Sequence, residues 1–432
     1  MSQATAFVMT HESDPQRTGK ALSVQALAVT RSLGRQGVPV VRLHPNRLDS
    51  GLVSRYCSEL VICPDLYQSE LQLVEFLEQL AARYPGKRVL VPASDDCALF
   101  VSRHWDRLAQ CFALPTPSSQ VMEQIIDKRR QYESAQRLGI PVPETYFPAN
   151  LEEVQSLAPQ LKHFPYVIKP TVAHQWRLAS MQAVSSGKKG IRVETADELL
   201  GAYRKLGSEA SGVMLQEVIG GQDERLYTFL TYFDRASRPL GYCVRSKIRQ
   251  MPVDFGYCTL TVSCDEPLVR EQSLRLLQGI GYHGIAGVEW KHDPRTGLYK
   301  LIEINARAVN TIGIAPASGV DIPYIAYRDA IGQPLPPVFT WKQGVKWIRL
   351  IQDIDAARIL HRTGRLSMGK WWRSIRGNRV HAVFAWDDLR PFLNDYAAMV
   401  KRRTGKAVAK MRALQGRDKP AAATGPIKGW WR

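Results

Sequence analysis

The first ~115 residues alternate between short apolar runs and helical patterns. Apolar runs occupy 6–9, 38–43, 60–63 and 88–92, and a helical spacing of apolar residues separates the first two. This alternation predicts a parallel α/β unit. The fourth run ends at Ser94, Asp95 and Asp96, polar residues at the carboxyl end of a strand, where open α/β sheets bind ligands. Simple capping of the next helix is an equally good interpretation.

The middle of the chain predicts a second kind of unit. A helix begins behind Asp127 and ends at Gly139, and two strands are expected at 164–169 and 213–218. A Ser-, Gly- and Lys-rich stretch centred on 185–190 lies between those strands. Two hairpins are then predicted, from 225–233 with 239–247 and from 285–292 with 299–307.

The second hairpin carries the sharpest chemical pattern. Glu303, Asn305 and Arg307 alternate with apolar residues, so the three polar side chains share one face of the strand. If the loop is 294–298, Glu289 lies opposite Glu303, and two carboxylates about 5 Å apart repel unless a cation lies between them. Oxygen ligands suit Mg²⁺ or Mn²⁺ rather than zinc. The alternative is an exposed polar face on which Glu303 pairs with Arg307.

Two lysines and a glycine turn are weaker candidates for a phosphate- or nucleoside-binding site when each is considered alone. Lys169 ends an apolar strand, and Lys128 begins the helix behind Asp127, where free N–H groups and the helix dipole would help a lysine hold phosphate. Both could equally be solvated surface lysines. The segment containing Gln216, Glu217, Val218, two glycines and Glu224 could cradle a nucleoside, or it could be a turn with solvated acids.

A basic row follows on the next predicted strand. Arg245, Lys247 and Arg249 share one strand face, which suits an anionic substrate, although a solvated edge strand would have the same pattern.

In this order, the pieces between about 115 and 330 resemble the ATP-grasp superfamily, with the nearest resemblance to the D-aspartate ligase-like branch of carboxylate–amine ligases. The resemblance implies an α/β fold: an N-terminal parallel α/β (pre-ATP-grasp) domain at 1–115, then an ATP-grasp domain at 116–335. That module would have two α+β subdomains, with a lid at about 128–212. A basic C-terminal extension at 336–412 and a disordered tail at 413–432 would complete the chain. Residues 171–176 lack the glycine-rich phosphate lid of the biotin carboxylase type, so the 185–190 loop would serve instead.

The resemblance also implies roles for the candidate residues. It implies an ATP- and Mg²⁺-dependent (or Mn²⁺-dependent) ligase that joins a carboxylate to an amine through an acyl phosphate and releases ADP and phosphate. The nucleotide would be held by Lys128, Lys169, Gln216, Glu217, Val218 and Glu224, and the metal by Glu289, Glu303 and Asn305. Arg307 would stabilise the transferring phosphoryl group, and Lys247 and Arg249, with Arg245, would hold the substrate carboxylate. The rival hypotheses are an ATP-grasp small-molecule kinase, and a polyanion- or membrane-binding protein with a vestigial ATP site.

Charge is distributed unevenly along the chain, and this distribution indicates which partners the protein could bind. The chain has a net charge of +18, yet from Trp341 onward 21 basic residues face 6 acidic ones, and seven of the ten tryptophans lie there. For 341–386 a small packed basic domain is the slightly favoured interpretation, and for 401–432 peripheral contact with an anionic membrane is favoured over nucleic acid. A homodimer remains open. No apolar run reaches the roughly 18 residues of a membrane span, and seven cysteines lack a metal or disulfide pattern. We therefore expect a cytoplasmic protein, with the cytoplasmic membrane face as an alternative location.

Overall fold

The computed structural model describes residues 4–11, 22–45, 53–171, 190–207, 212–221, 225–253 and 256–414. Its first unit is a four-stranded parallel sheet in the order β3-β2-β1-β4. The strands and helices of this unit are β1 (Thr5–Met9), α1 (Val24–Arg35), β2 (Val40–His44), β3 (Glu59–Ile62), α2 (Glu70–Ala81), β4 (Arg88–Pro92), α3 (Asp95–Arg103) and α4 (Trp105–Leu108).

This first unit confirms the predicted parallel α/β arrangement. All five residues of β1 are buried between its two neighbouring strands, which explains their uninterrupted apolar character. Ser94 caps α3 by accepting a hydrogen bond from the backbone N–H of Cys97, so capping is part of the explanation for the polar residues after β4.

The second unit is a smaller four-stranded sheet in the order β5-β8-β6-β7. It is reached through α5 (Ser119–Ile126) and α6 (Lys128–Arg137), and its apolar core is separate from the others. Its elements are β5 (Thr145–Tyr146), α7 (Leu151–Leu157), a 3-10 turn (Ala158–Gln160), β6 (Tyr166–Pro170), β7 (Ile191–Val193), α8 (Ala196–Leu206) and β8 (Val213–Glu217). The predicted 185–190 loop lies outside the described residues, except for Gly190.

The third unit is a seven-stranded sheet in the order β13-β12-β9-β10-β11-β14-β15. Both predicted hairpins are present in it, as β9–β10 and β12–β13. Its first elements are β9 (Leu226–Phe233), β10 (Pro239–Met251), β11 (Tyr257–Cys264), α9 (Pro267–Gly279), β12 (Gly284–His292), β13 (Tyr299–Asn305), α10 (Ile314–Ala317) and α11 (Ile322–Ala330). One face of the sheet packs against α9, while part of the other face shares a core with the first unit.

The basic region continues this same sheet. Strand β14 (Lys346–Ile348) pairs with β11, and β15 (Arg379–His381) pairs with β14. Three helices belong to the region: α12 (Leu350–Arg362), α13 (Met368–Ser374) and α14 (Arg390–Leu414). Trp347 is a core residue, whereas Trp372 and Trp386 are 51% and 84% exposed, so the packed-domain interpretation of 341–386 holds only in part.

The proposed boundary at 336 thus separates strands of one sheet, and the division into domains remains a proposal. Of the predicted tail, residues 413 and 414 belong to α14, and 415–432 lie outside the described residues. None of the described helices is both long and apolar enough to cross a membrane.

Candidate active site

Glu289 of β12 and Glu303 of β13 face each other directly across the hairpin. The loop is one residue longer than predicted, because His292 pairs with Tyr299. A register shift between Glu289 and Trp290 leaves Ile302 as an extra residue on β13, and this bulge restores the predicted pairing at the glutamates. Neither glutamate is buried, so both carboxylates reach the open part of the sheet face.

Helix α6 approaches this pair from the side of the smaller sheet. Lys128, at the first position of α6, places its Nζ atom 3.3 Å from Glu303 Oε1. One turn later, the hydroxyl of Tyr132 donates a hydrogen bond of 3.0 Å to the carbonyl of Ile302, the bulge residue. The helix is held at its start by Asp127, whose carboxylate accepts hydrogen bonds from two backbone N–H groups of the first turn.

Lys169 is connected to the same place through side chains. Its Nζ donates a hydrogen bond of 3.1 Å to Gln216 Oε1, and Gln216 Nε2 donates one of 2.9 Å to the Tyr132 hydroxyl. Gln216 is buried and also donates to Thr145 Oγ1. Lys169, Gln216, Tyr132 and the β13 bulge therefore form one hydrogen-bonded chain between the two sheets.

The Glu217 carboxylate is used differently from the sequence interpretation. It accepts hydrogen bonds from Lys300, Arg295 and the backbone N–H of Glu144, and its side chain is 2% exposed. Protein groups therefore engage the Glu217 carboxylate, and its assignment to a ligand's amine or hydroxyl groups stays a prediction. Because one β-strand and two loops supply its partners, nothing in the local 216–224 sequence indicated them.

Glu217 belongs to a four-charge cluster that joins the smaller sheet to the β12–β13 hairpin. The buried Asp293 lies 3.0 Å from Lys300 Nζ and 3.1 Å from Arg295 Nη2. Burial raises the pKa of both carboxyl groups, but hydrogen bonds from the two cations outweigh it and both pKa values are lowered. The cluster fixes where strand β8 ends relative to the hairpin.

Arg307 is held by the first unit of the protein. Its guanidinium donates two hydrogen bonds of 2.7 Å to the carboxylate of Asp95, at the carboxyl end of β4. Burial lowers the pKa of Arg307, but the Asp95 charge overcomes this effect and the pKa is raised. A weaker contact of 3.4 Å joins Arg307 to Asn305 Oδ1. Asp95 thus lies at the site, as its place after a strand predicted, and the alternative pairing of Arg307 with Glu303 is not observed.

A row of directly paired residues extends from the glutamates across the sheet. Glu303 pairs with Glu289, Glu289 with Thr228, and Thr228 with Arg245. Thr228 and Arg245 are 0% and 2% exposed, and neither Thr228 Oγ1 nor Arg245 Nε has a hydrogen-bond partner among the described residues. Among the described residues, the side-chain contacts of Arg245 are long, at 3.4 Å to a threonine hydroxyl and 3.8 Å to a cysteine sulfur.

The other two cations of the basic row differ from each other. Lys247 is 6% exposed, and its recorded partner is the neutral side chain of Gln250 at 3.2 Å. Arg249 instead forms two hydrogen bonds, of 2.9 and 3.0 Å, with Asp353 of α12. This buried ion pair anchors the basic C-terminal region to the sheet. Arg249 therefore has a carboxylate partner within the protein that the sequence analysis did not identify. Asp353 lies 104 residues away, and no local pattern indicates it.

Some predicted residues cannot be placed. Glu224 and the loop residues 185–189 lie outside the described residues. Val218 is described, and its backbone N–H donates to the carbonyl of Pro165. Within the described ranges, no group of three or more His, Cys, Asp and Glu side chains could hold a metal ion, so any metal here would be bound by the two glutamates with neutral oxygen ligands.

This chain is similar in part to several known proteins. The family described as carbamoyl-phosphate synthase L chain, ATP binding domain, matches residues 259–338, which contain both glutamates. The D-aspartate ligase of Enterococcus faecium is 25% identical over 252 residues, covering 57% of this chain and 59% of that protein. The chain thus spans about three fifths of this relative's length.

Two solved structures show the same fold. A biotin carboxylase–β,γ-ATP complex from Campylobacter jejuni gives a TM-score of 0.56 with 19% identity, covering 77% of this chain and 72% of that chain. An L-amino acid ligase from Bacillus licheniformis gives a TM-score of 0.53 with 16% identity, covering 78% and 75%. The chain therefore shares the fold of these two solved structures. The paired glutamates lie where helix α6, which leads into the smaller sheet, contacts the seven-stranded sheet.

Proposed function

We propose that this protein is a member of the ATP-grasp superfamily and an ATP- and Mg²⁺-dependent ligase that joins a carboxylate to an amine and releases ADP and phosphate. The observation that carries the proposal is the paired Glu289 and Glu303 beneath Lys128, in a row that ends at the buried Arg245. The D-aspartate ligase and the L-amino acid ligase that resemble this chain support carboxylate–amine chemistry.

The residues around the glutamate pair fit Mg²⁺, with Mn²⁺ as an alternative. Glu289 has no hydrogen-bond or ion-pair partner among the described residues, and it directly faces a second carboxylate. Asn305 Oδ1 lies on the same strand face as Glu303. These are hard oxygen ligands, as Mg²⁺ requires, and Mg²⁺ commonly combines one or two carboxylates with phosphate oxygens. When bound, the ion would neutralise charge on the reacting phosphates.

Three cations surround the space above the glutamates. We assign Lys128 and Lys169 to the nucleotide phosphates, because both lie on the lid side and both connect to the β13 bulge region. Arg307, oriented by Asp95, would stabilise charge on the transferring phosphoryl group. Gln216 and the backbone of Glu217 and Val218 would form the nucleoside side of the site, whereas the Glu217 carboxylate acts within its ion cluster.

Arg245 and Lys247 are the residues we assign to the substrate carboxylate. Both cations are buried, and neither has a carboxylate partner among the described residues. Because an uncompensated buried charge is costly, an anion is the expected partner of these two cations. Arg249 is not assigned to the substrate, since Asp353 already neutralises it.

The reaction then proceeds in two balanced steps. An oxygen of the substrate carboxylate attacks the γ-phosphorus of ATP, the bond to the bridging oxygen breaks, and ADP leaves from an acyl phosphate. The amine nitrogen next attacks the acyl carbon, phosphate leaves, and the nitrogen loses a proton to solvent. The side chains of the site position groups and offset charge, and they supply no nucleophile.

The test is a screen for ADP release with purified full chain, ATP, Mg²⁺ and pairs of amino acids with small carboxylates. We expect ADP and phosphate to form only when both a carboxylate and an amine are present, and hydroxylamine to trap a hydroxamate when it replaces the amine. AMP and pyrophosphate as products would overturn the proposal. ADP release without a hydroxamate would favour the kinase alternative.

A further inference from the structure

A stripe of exposed apolar side chains leads into and along α14. Trp386, Leu389, Leu393, Tyr396 and Val400 are 84%, 39%, 57%, 50% and 41% exposed. Their spacing of three and four residues places those within the helix on one face. We call these five residues the α14 stripe. Large apolar side chains that are exposed singly are ordinary, but a contiguous row of them indicates a contact surface.

The start of this stripe is fixed to the body of the protein. Asp388 is buried and accepts hydrogen bonds from Arg31 and from the Ser54 hydroxyl, and Asp387 forms two hydrogen bonds with Arg35. Phe392 of α14 packs against the main core, and its ring stacks on that of Tyr396 at the edge of the stripe. The helix is therefore seated mainly by side chains outside the α14 stripe.

The charge of the adjacent sequence identifies what could cover the stripe. Six basic residues and no acidic residue follow between 401 and 412, and the next acidic residue after Asp395 is Asp418. The bases are Lys401, Arg402, Arg403, Lys406, Lys410 and Arg412. A second copy of this helix would bring like charges together along the apolar seam, which disfavours self-association through the stripe.

We propose that the α14 stripe docks on an anionic lipid bilayer. Nucleic acid would satisfy the basic residues but would leave the apolar row without a counterpart, because phosphate contacts dominate that kind of binding. A bilayer surface satisfies both features. Trp and Tyr are suited to the headgroup level, Leu and Val enter the acyl boundary, and Lys and Arg are attracted to anionic headgroups. This inference does not depend on the proposed ligase reaction.

The experiment is flotation of the full chain with vesicles, without nucleotide. Vesicles of phosphatidylcholine alone are compared with vesicles in which about a third of the lipid is phosphatidylglycerol. Leu393→Glu tests the stripe. Asn394→Glu is the charge-matched control, because Asn394 is the next residue, is also exposed and lies about 100° around the helix. Melting temperatures of the three proteins check that they fold alike.

We expect the wild-type chain to float with the anionic vesicles only, and to be released as salt rises from 0.05 to 0.5 M. Leu393→Glu should weaken binding at least tenfold and Asn394→Glu less than threefold. Equal loss in the two variants would show that charge alone binds and would overturn the inference. So would a concentration-dependent dimer that Leu393→Glu dissociates, or binding of a short RNA with no vesicle binding. None of these readouts involves ATP turnover, so failure here leaves the ligase proposal standing.

Discussion

Lys128 Nζ lies 3.3 Å from Glu303 Oε1, so the helix that leads into the smaller sheet contacts the strand that carries the predicted metal ligands. The same strand residue faces Glu289. One carboxylate thus has a cation on the lid side and another carboxylate on the sheet side. This arrangement leaves one negative charge of the pair without a cation among the described residues, which is why a bound cation is expected.

The first prediction concerns this carboxylate pair. Glu303→Gln and Glu289→Gln should each lower Mg²⁺-dependent ADP release at least 100-fold. Without metal, Glu289→Gln should raise the free energy of unfolding by a few tenths of a kcal/mol, roughly the scale of a cross-strand charge pair, because it removes like-charge repulsion. Glu133→Gln, an exposed change on α6, is the control for loss of one carboxylate. Near-normal turnover in Glu303→Gln would show that the metal assignment is wrong.

The second prediction concerns Tyr132, which links Gln216 to the β13 bulge. Tyr132→Phe should raise the KM for ATP more than it lowers kcat, because Lys169 loses its indirect connection to the metal strand. Tyr132→Phe should also lower the free energy of unfolding by about 1–2 kcal/mol, since two buried polar groups lose a hydrogen-bond partner.

Tyr203→Phe is the matched control for Tyr132→Phe. The Tyr203 hydroxyl is buried in the core of the second unit and has no hydrogen-bond partner among the described residues, so its removal should leave the free energy of unfolding unchanged or raise it. Urea denaturation and initial-rate kinetics measure both variants. If Tyr132→Phe lowers kcat and leaves the KM for ATP unchanged, Tyr132 has a different role.

The third prediction concerns acid stability. Glu217 and Asp293 have lowered pKa values in the folded protein, against ordinary values of 4.5 and 3.8. Their stabilisation is therefore fully present above about pH 4.5 and is lost as pH falls through the lowered values. Lys300→Met should lower the free energy of unfolding by about 3 kcal/mol at pH 7, because it leaves two buried carboxylates to share the single cation Arg295.

The pH dependence of stability distinguishes the ion-pairing role of Lys300 from a simple loss of packing in Lys300→Met. Below pH 4.5, the free energy of unfolding should fall less steeply in Lys300→Met than in the wild type. Lys162→Met, an exposed change of the same charge, should leave both the stability and its slope unchanged. Parallel slopes for the wild type and Lys300→Met would mean that Lys300 does not set these pKa values.

Local sequence signals predicted the elements and the glutamate pair but missed most of the connections between units. Alternation along β12 and β13 was enough to place Glu289 against Glu303, because pleating fixes which side chains share a face. Tyr132 could have been found as well, since it lies four residues after Lys128 on the same helix face.

Other features had no local signal. Asp353 is 104 residues from Arg249, and Lys300 is 83 residues from Glu217. Such pairs form only when separate units meet, so the basic row seemed uniform in the sequence although its members differ in the fold. The β13 bulge was also missed, since the flanking residues would suit an unbroken strand.

The last prediction separates Arg245 from Arg249, two buried arginines on one strand. Arg245 lacks a carboxylate partner among the described residues, so Arg245→Met should raise the free energy of unfolding by about 1 kcal/mol or leave it unchanged. It should also raise the KM for the carboxylate substrate at least 100-fold. Arg249→Met leaves the buried Asp353 without its cation and should lower the free energy of unfolding by about 3 kcal/mol. Urea denaturation without ligands and ADP release against carboxylate concentration measure the two effects. Destabilisation of similar size in both variants would show that Arg245 is a structural residue, and the carboxylate would then have to bind elsewhere in the row.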